Sequence, residues 1–156
     1  MHTIFLLEVA MQGKAVIAGH PIHPALVAIP IGLFVGTLIC DVVSIWGDPQ
    51  FWPRAATWLI AFGVIGALVA AIFGFVDYFT APMSEEAKRT ATTHMVLNLI
   101  AVVVFAIAFF IRLHSMTSVL GYVLTYVALA ILSCSGWLGG KLAYHFGVGV
   151  EDRAPR

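Results

Sequence analysis

The segment that decides the fold runs from Arg54 to Phe79 and reads RAATWLIAFGVIGALVAAIFGFVDYF. No charged residue stands between Arg54 and Asp77. A helix that crosses a bilayer needs about 20 mostly apolar residues, and this segment supplies them. Pro53 directly precedes the segment, where the start of a helix tolerates proline. The sequence therefore predicts a transmembrane helix here.

Three more stretches have the same apolar character, and turn or charged residues separate all four. The predicted helices cover about 24–46, 54–79, 84–113 and 118–146. Ser84 is the predicted N-cap of the third helix, because Glu85 and Glu86 then lie in its first turn, where acidic residues are favourable.

Composition supports the same fold class. Of the 156 residues, 61% are hydrophobic and 10% are charged, with a mean hydropathy of +0.99. Soluble domains carry about 25% charged residues, so this chain has too little polar surface to cover four apolar helices in water. We predict an all-α integral membrane protein, an up-down four-helix bundle over 17–150. A short interfacial segment (1–16) precedes it, and a polar tail (151–156) follows.

Several functional classes are not supported. The formal net charge is zero and no basic run occurs, which argues against nucleic acid as a partner. Cys40 and Cys134 both lie in apolar runs, so a disulfide framework is not expected. Glu8 interrupts the apolar start of the chain and no basic region precedes it, so a signal peptide is not expected either. No nucleophile–base arrangement, H-E-x-x-H motif or phosphate loop supports an enzyme.

Short connections predict antiparallel neighbours and place both chain termini on one membrane face. We call that face side A and the opposite face side B. Most cationic residues fall near side A: Lys14, Lys88, Arg89, Lys141, Arg153 and Arg156. Because cationic residues favour the cytoplasm, side A is predicted to be cytoplasmic in a bacterial inner membrane.

Ionisable residues in or beside membrane spans are costly, so their positions point to function. The predicted topology collects five of them at side A, from all four helices: His20, His23, Asp77, His94 and His145. The run from His20 to Pro24 reads His-Pro-Ile-His-Pro, and each proline stiffens the residue before it. This run either holds imidazoles as ligands or forms a rigid turn that caps the first helix.

Two polar residues could support these histidines. Asn98 lies four positions after His94 on the same helix face and could orient its imidazole. Asp77 could fix a histidine tautomer, or could form a salt bridge with Lys141 or Arg89.

Asp41 lies too far along the first helix to belong to this cluster. It follows His23 by about 18 positions, which corresponds to roughly 27 Å. Arg54 is its predicted partner in a structural ion pair. His114, near side B, needs no functional explanation.

Small residues recur at four-residue spacing at Gly32 and Gly36, at Ala70 and Gly74, and at Gly136 and Gly140. This spacing lets helices pack closely in lipid. Alternatively, the missing side chains leave room for a flat cofactor.

Several motifs together resemble the domain-of-unknown-function-2231 family of small bacterial membrane proteins, over about 17–150. The motifs are the run 19–26, Pro30 to Leu33, Asp41, Gly74 to Asp77, His94 with Asn98, Gly136 to Gly140, Tyr144 and 147–150. The resemblance implies four membrane helices. Some members are joined to a Rieske iron–sulfur domain, which implies electron transfer. His145 is shifted by one position from the histidine of the family pattern, and Lys141 stands where an acidic residue is common.

The leading hypothesis is a b-type haem protein that transfers electrons within the membrane. We predict His23 and His94 as axial ligands, with His20 as a substitute. Asp77 and Asn98 would support the ligands. Gly32, Gly74 and the stretch from Gly136 to Gly140 would make room for the ring. No C-x-x-C-H motif occurs, so covalent c-type haem is excluded.

Two alternatives remain open. His20, His23, His94 and Asp77 could hold a divalent non-haem metal. The chain could also be a cofactor-free accessory subunit of a larger membrane complex. A redox protein or such a complex is the expected partner, besides the lipid bilayer.

Overall fold

The computed structural model describes residues 13–150. The predicted polar tail and most of the predicted interfacial segment lie outside these residues. A short β-hairpin precedes four helices. The elements are β1 (Val16–Ile17), β2 (His20–Pro21), α1 (Ile22–Val43), α2 (Phe51–Thr80), α3 (Glu85–His114) and α4 (Val119–Tyr144).

The predicted all-α membrane bundle is confirmed. All four helices are long and apolar enough to cross a membrane. Their bounds differ from the expected ones by at most three residues. Ser84 is the N-cap of α3, since its side chain accepts a hydrogen bond from the Ala87 amide at 3.2 Å.

A tight turn carries the chain into α1. β1 and β2 pair antiparallel, and the connecting residues Ala18 (φ 50°) and Gly19 (φ 82°) both adopt the left-handed region. Glycine adopts such angles readily, and they allow a two-residue connection between strands. The turn places His20 and His23 at the entry to the bundle.

The four helices pack as two antiparallel pairs. We call α1 and α2 (22–80) hairpin 1, and α3 and α4 (85–144) hairpin 2; helix contacts within each hairpin are far more extensive than contacts between hairpins. Phe34 of α1 and Phe105 of α3 stack across the centre with ring centroids 3.8 Å apart and planes 3° apart. Ile60 and Ala128 complete this buried core.

The two hairpins repeat one pattern of burial. In α1 the buried positions include Pro30, Phe34, Thr37 and Asp41, and residues 71 positions later are buried in α3: Ala101, Phe105, Ala108 and Arg112. In α2 they include Ala56, Ile60, Gly63 and Ala70, and residues 65 positions later are buried in α4: Gly121, Thr125, Ala128 and Ser135. The hairpins are therefore equivalent halves around an approximate twofold axis that runs along the bundle.

The predicted partner of Asp41 is wrong. Its carboxylate binds Arg112 through two hydrogen bonds, of 2.6 and 2.9 Å, and both side chains are fully buried. Arg54 is exposed instead. Arg112 fits because α4 has a glycine beside it: a Cβ at Gly121 would lie 2.6 Å from the Arg112 Cγ. Sequence distance favoured the nearer Arg54, whereas the bundle brings α1 and α3 together across its axis.

Candidate functional site

His23 is held on α1 by the backbone of α2. Its Nδ1 lies 2.9 Å from the carbonyl oxygen of Ala70. Because a carbonyl oxygen only accepts, Nδ1 carries a proton, and in the neutral ring the lone pair is therefore on Nε2. Gly74 makes room for the ring, since a Cβ there would lie 2.9 Å from the His23 Cε1.

His94 repeats this arrangement in hairpin 2. Its Nδ1 lies 2.8 Å from the carbonyl oxygen of Ser135 on α4. A Cβ at Gly139 would lie 2.9 Å from the His94 Cε1. In both hairpins the glycine follows the residue whose carbonyl accepts this hydrogen bond by four positions. His23 and His94 are thus equivalent residues, one from each half of the molecule.

The two sites differ in how many groups hold the imidazole. The Ser135 hydroxyl lies 3.1 Å from the His94 Nδ1 and donates to the His94 carbonyl at 3.0 Å. The Asn98 amide donates to the His94 Nε2 at 3.0 Å and to the same carbonyl at 3.0 Å. The equivalent residues of hairpin 1, Ala70 and Val27, offer no such side-chain groups. Among the described residues, Nε2 of His23 has no hydrogen-bond partner.

A histidine that binds a metal commonly donates its other ring N–H to a backbone carbonyl or carboxylate, which fixes the tautomer. His23 and His94 both have this geometry, because Nδ1 of each ring contacts a carbonyl oxygen and leaves Nε2 as the nitrogen that could bind a metal. The structure places His23, Asp77 and the contacting pair His94 and Asn98 at the same end of the bundle, side A.

Asp77 has a different role from the two that we predicted. Its Oδ1 accepts a hydrogen bond from the Ala15 amide at 3.1 Å, so it anchors the segment before the β-hairpin. The Ala70 and Ser135 carbonyls fix the histidine tautomers instead. The predicted salt bridge is also replaced, because Lys141 pairs with Glu86 at 3.5 Å.

His20 and His145 do not join the cluster. His20 is exposed in β2, and its Nδ1 lies 3.0 Å from the carbonyl oxygen of Ala18 in the same turn. His145 is the exposed C-cap of α4 and contacts the neighbouring Phe146 ring. Pro21 follows His20 directly and is the N-cap of α1, so His20 lies in β2 rather than on the helix.

The glycines divide into two groups. The space beside Gly74 is filled by the His23 imidazole, so it is not free for a flat cofactor. A Cβ at Gly32 or Gly140 would meet no atom within 4 Å, so these glycines adjoin open space. Gly139, within the predicted stretch from Gly136 to Gly140, is the glycine that accommodates His94.

Within residues 13–150, no group of three or more His, Cys, Asp or Glu side chains could hold a metal ion. The predicted set of His20, His23, His94 and Asp77 therefore does not converge in this structure. The donor set that the helices do present is a pair of histidines.

Sequence reasoning missed Ser135 and the role of Ala70. A signal for them was present, because His23 and His94, Phe34 and Phe105, and Asp41 and Arg112 are each 71 positions apart. That spacing indicates an internal repeat, and a repeat predicts that α2 and α4 hold equivalent histidines in the same way.

Comparison with known proteins shows the family. Residues 19–152 match the family described as predicted membrane protein (DUF2231), so the chain belongs to that family. With four spans, it is a multi-pass membrane protein. No curated protein and no solved structure matches the chain.

Proposed function

We propose that this DUF2231 protein binds one b-type haem, with His23 and His94 as axial ligands, and transfers electrons within the membrane. One observation carries the proposal: each hairpin supplies one equivalent imidazole whose Nδ1–H is bound to a carbonyl and whose Nε2 has a lone pair. Bundle cofactors are commonly held by side chains from facing helices. With one ligand from each hairpin, the haem would link the two halves.

The number of protein ligands favours haem over a non-haem metal. Structural zinc takes four protein ligands, and catalytic zinc takes three. A porphyrin supplies four nitrogens of its own, so a six-coordinate haem iron needs only two side chains. The described residues offer two histidines and no group of three.

The protein's own groups would prepare the site for the iron. The Ala70 and Ser135 carbonyls keep both imidazoles in the tautomer that binds metal through Nε2. Asn98 would release the His94 Nε2 when iron binds, and its amide would keep its second bond, to the His94 carbonyl at 3.0 Å. The haem would supply one-electron chemistry, with a potential set by its axial ligands and by burial.

The site would lie at side A, the face that carries most cationic residues. We propose that this face is cytoplasmic and that the membrane is the bacterial inner membrane, since cationic loops favour the cytoplasm. A soluble or membrane-bound redox protein would then exchange electrons with the haem at that face.

One observation favours a second candidate, an accessory subunit without a cofactor. Asn98 already satisfies Nε2 of His94, and each imidazole ties two helices together through a carbonyl. In that role the histidines would be structural links within the hairpins.

A reduced-minus-oxidised visible spectrum of the purified protein, made with adequate haem supply, separates these functions. We expect sharp haem bands that disappear in His23→Ala and in His94→Ala. His20→Ala is the matched control, because His20 is exposed and bound only within its own turn, and it should keep the bands. A haem-free spectrum of folded wild-type protein would refute the haem proposal and leave the accessory subunit. Bands that survive both ligand variants would refute the ligand assignment.

A further inference from the structure

At the surface between the two hairpins, hairpin 1 packs on hairpin 2 and not on a second copy of itself. This selection does not depend on a cofactor. The two hairpins bury equivalent positions along their helices. At the centre, Phe34 meets Phe105, an aromatic ring on an equivalent aromatic ring. The placement of the helices and this apolar centre would therefore also suit hairpin 1 packed on hairpin 1 of a second copy of this chain.

The connection between the hairpins would not prevent such an exchange. Only residues 81–84 separate α2 from α3. Exchange of identical elements between copies is a low-cost route to dimers, and short connections can favour it.

One pair of equivalent positions does distinguish the hairpins. Asp41 and Arg112 occupy the same place in their halves and meet across the axis with no exposed surface. A pair of first hairpins would bury two aspartates there, and a pair of second hairpins would bury two arginines. Like charges that face each other at a dry interface oppose association strongly, and only the mixed pair is complementary.

The surroundings of the pair are also specific to each hairpin. Around Arg112, α4 provides Gly121 for space, the Thr125 hydroxyl at 3.5 Å and the Tyr122 ring at 4.6 Å. In α2 the residues equivalent to Gly121 and Thr125 are Ala56 and Ile60, both fully buried and apolar. At the equivalent positions, hairpin 1 therefore lacks the space and the hydroxyl group that would accommodate an arginine at position 41.

We propose that the Asp41–Arg112 pair selects the partner of each hairpin: it directs hairpin 1 onto hairpin 2 and excludes homotypic association with a second copy. The partner that the inter-hairpin surface would otherwise accept is this same chain. A pair that only stabilises the fold would have no effect on that choice.

The first experiment removes the charges and keeps the volume, with Asp41→Leu and Arg112→Met in one chain. Replacement of a buried ion pair by apolar residues of similar volume often leaves stability intact. Two differently tagged copies of this variant are co-expressed in the same cells and purified through one tag. We expect the folded variant to co-purify with its other copy about tenfold more than wild type does, an amount equivalent to about 1.4 kcal/mol of lost selectivity. A folded variant that exchanges no more than wild type would overturn the proposal.

A second experiment decides the matter if the neutral variant does not fold. One chain carries Asp41→Arg with Ala56→Gly to make room for the guanidinium, and the other carries Arg112→Asp. Alone, each chain faces like charges across its axis. Exchange of hairpins between the two chains would restore opposite charges at both contacts. We expect each to yield little folded protein alone and a mixed dimer when co-expressed. Absence of the mixed dimer would overturn the proposal.

Discussion

The two hairpins share a frame and differ in the polar groups attached to it. In each, a histidine near side A binds a carbonyl of the facing helix, beside a glycine that admits the ring. Hairpin 2 adds the Ser135 hydroxyl and the Asn98 amide, whereas hairpin 1 has Ala70 and Val27 at these positions. Toward side B, one hairpin supplies Asp41 and the other supplies Arg112.

The comparison distinguishes residues that the fold requires from residues that could serve a function. Positions that match in both hairpins, such as Phe34 and Phe105, build the bundle. Two sets of polar positions that differ lie toward the two ends of the bundle. The histidine end differs in how firmly each imidazole is held, and the other end differs in charge.

The largest effect is expected from Arg112→Ala, which removes one partner of the ion pair between the hairpins. This change leaves the Asp41 carboxylate buried without a partner, which costs about 3–5 kcal/mol in the free energy of unfolding. The measurement is equilibrium or thermal unfolding of the purified protein in a mild detergent.

Arg54→Ala is the matched control, because Arg54 is an exposed arginine at the same end of the bundle. Exposed positions of this kind usually change stability by no more than about 0.5 kcal/mol. Equal effects of the two substitutions would mean that the ion pair does not join the hairpins.

The glycines beside the histidines test whether the two histidine sites at the other end of the bundle are equivalent. Gly74→Ala and Gly139→Ala each place a methyl group 2.9 Å from an imidazole, and overpacking of this kind costs about 1–3 kcal/mol. Because the two sites are equivalent, we expect similar losses of stability in both, measured by thermal unfolding.

Gly32→Ala and Gly140→Ala are the controls, since both positions adjoin open space in a helix. There alanine should be neutral or should stabilise by up to about 1 kcal/mol through its higher helix propensity. If Gly74→Ala were tolerated and Gly139→Ala were not, the two histidine sites would not be equivalent.

The smallest expected effect concerns the turn of hairpin 1. The amides of Phe51 and Gln50 donate to the exposed Asp48 carboxylate and lower its pKa below the usual value of 3.8. A lowered pKa in the folded state means that the contribution of Asp48 to stability is present above 3.8 and is lost as the pH falls through the folded value.

Asp48→Asn should therefore weaken the acid dependence of the melting temperature at low pH and change little at neutral pH. The melting temperature, followed over the acid range in an acid-stable detergent, measures this. In hairpin 2, the Ser118 hydroxyl caps α4 and does not titrate, so Ser118→Ala should lower stability equally at every pH. A pH-dependent effect of Ser118→Ala would contradict this difference between the turns.

The sequence predicted most of the fold because its signals are local. The length of the apolar runs predicted the four spans, and Ser84 with the acidic residues that follow it predicted the start of α3. The pairing of helices into two equivalent halves required contacts between residues far apart in the chain. The length of the apolar runs contains no information about those contacts.

The candidate site was predicted in part. His94 and Asn98 are in contact, and His23 lies at the same end of the bundle, because antiparallel helices return to the same face. The groups that orient the imidazoles are backbone carbonyls of Ala70 and Ser135, which no side-chain pattern reveals. Asp41 was assigned to Arg54 because adjacent helices were compared, while its partner lies across the axis.

The ion pair also has a consequence for the order of events during synthesis. Arg112 follows Asp41 by 71 positions in the chain. At about 5–20 residues per second, a ribosome needs roughly 4–14 s to make that length. Throughout this interval the newly inserted first helix carries an aspartate whose partner does not yet exist. Hairpin 1 therefore enters the membrane before the ion-pair partner of Asp41 has been made, and it gains that partner only with the second half of the chain.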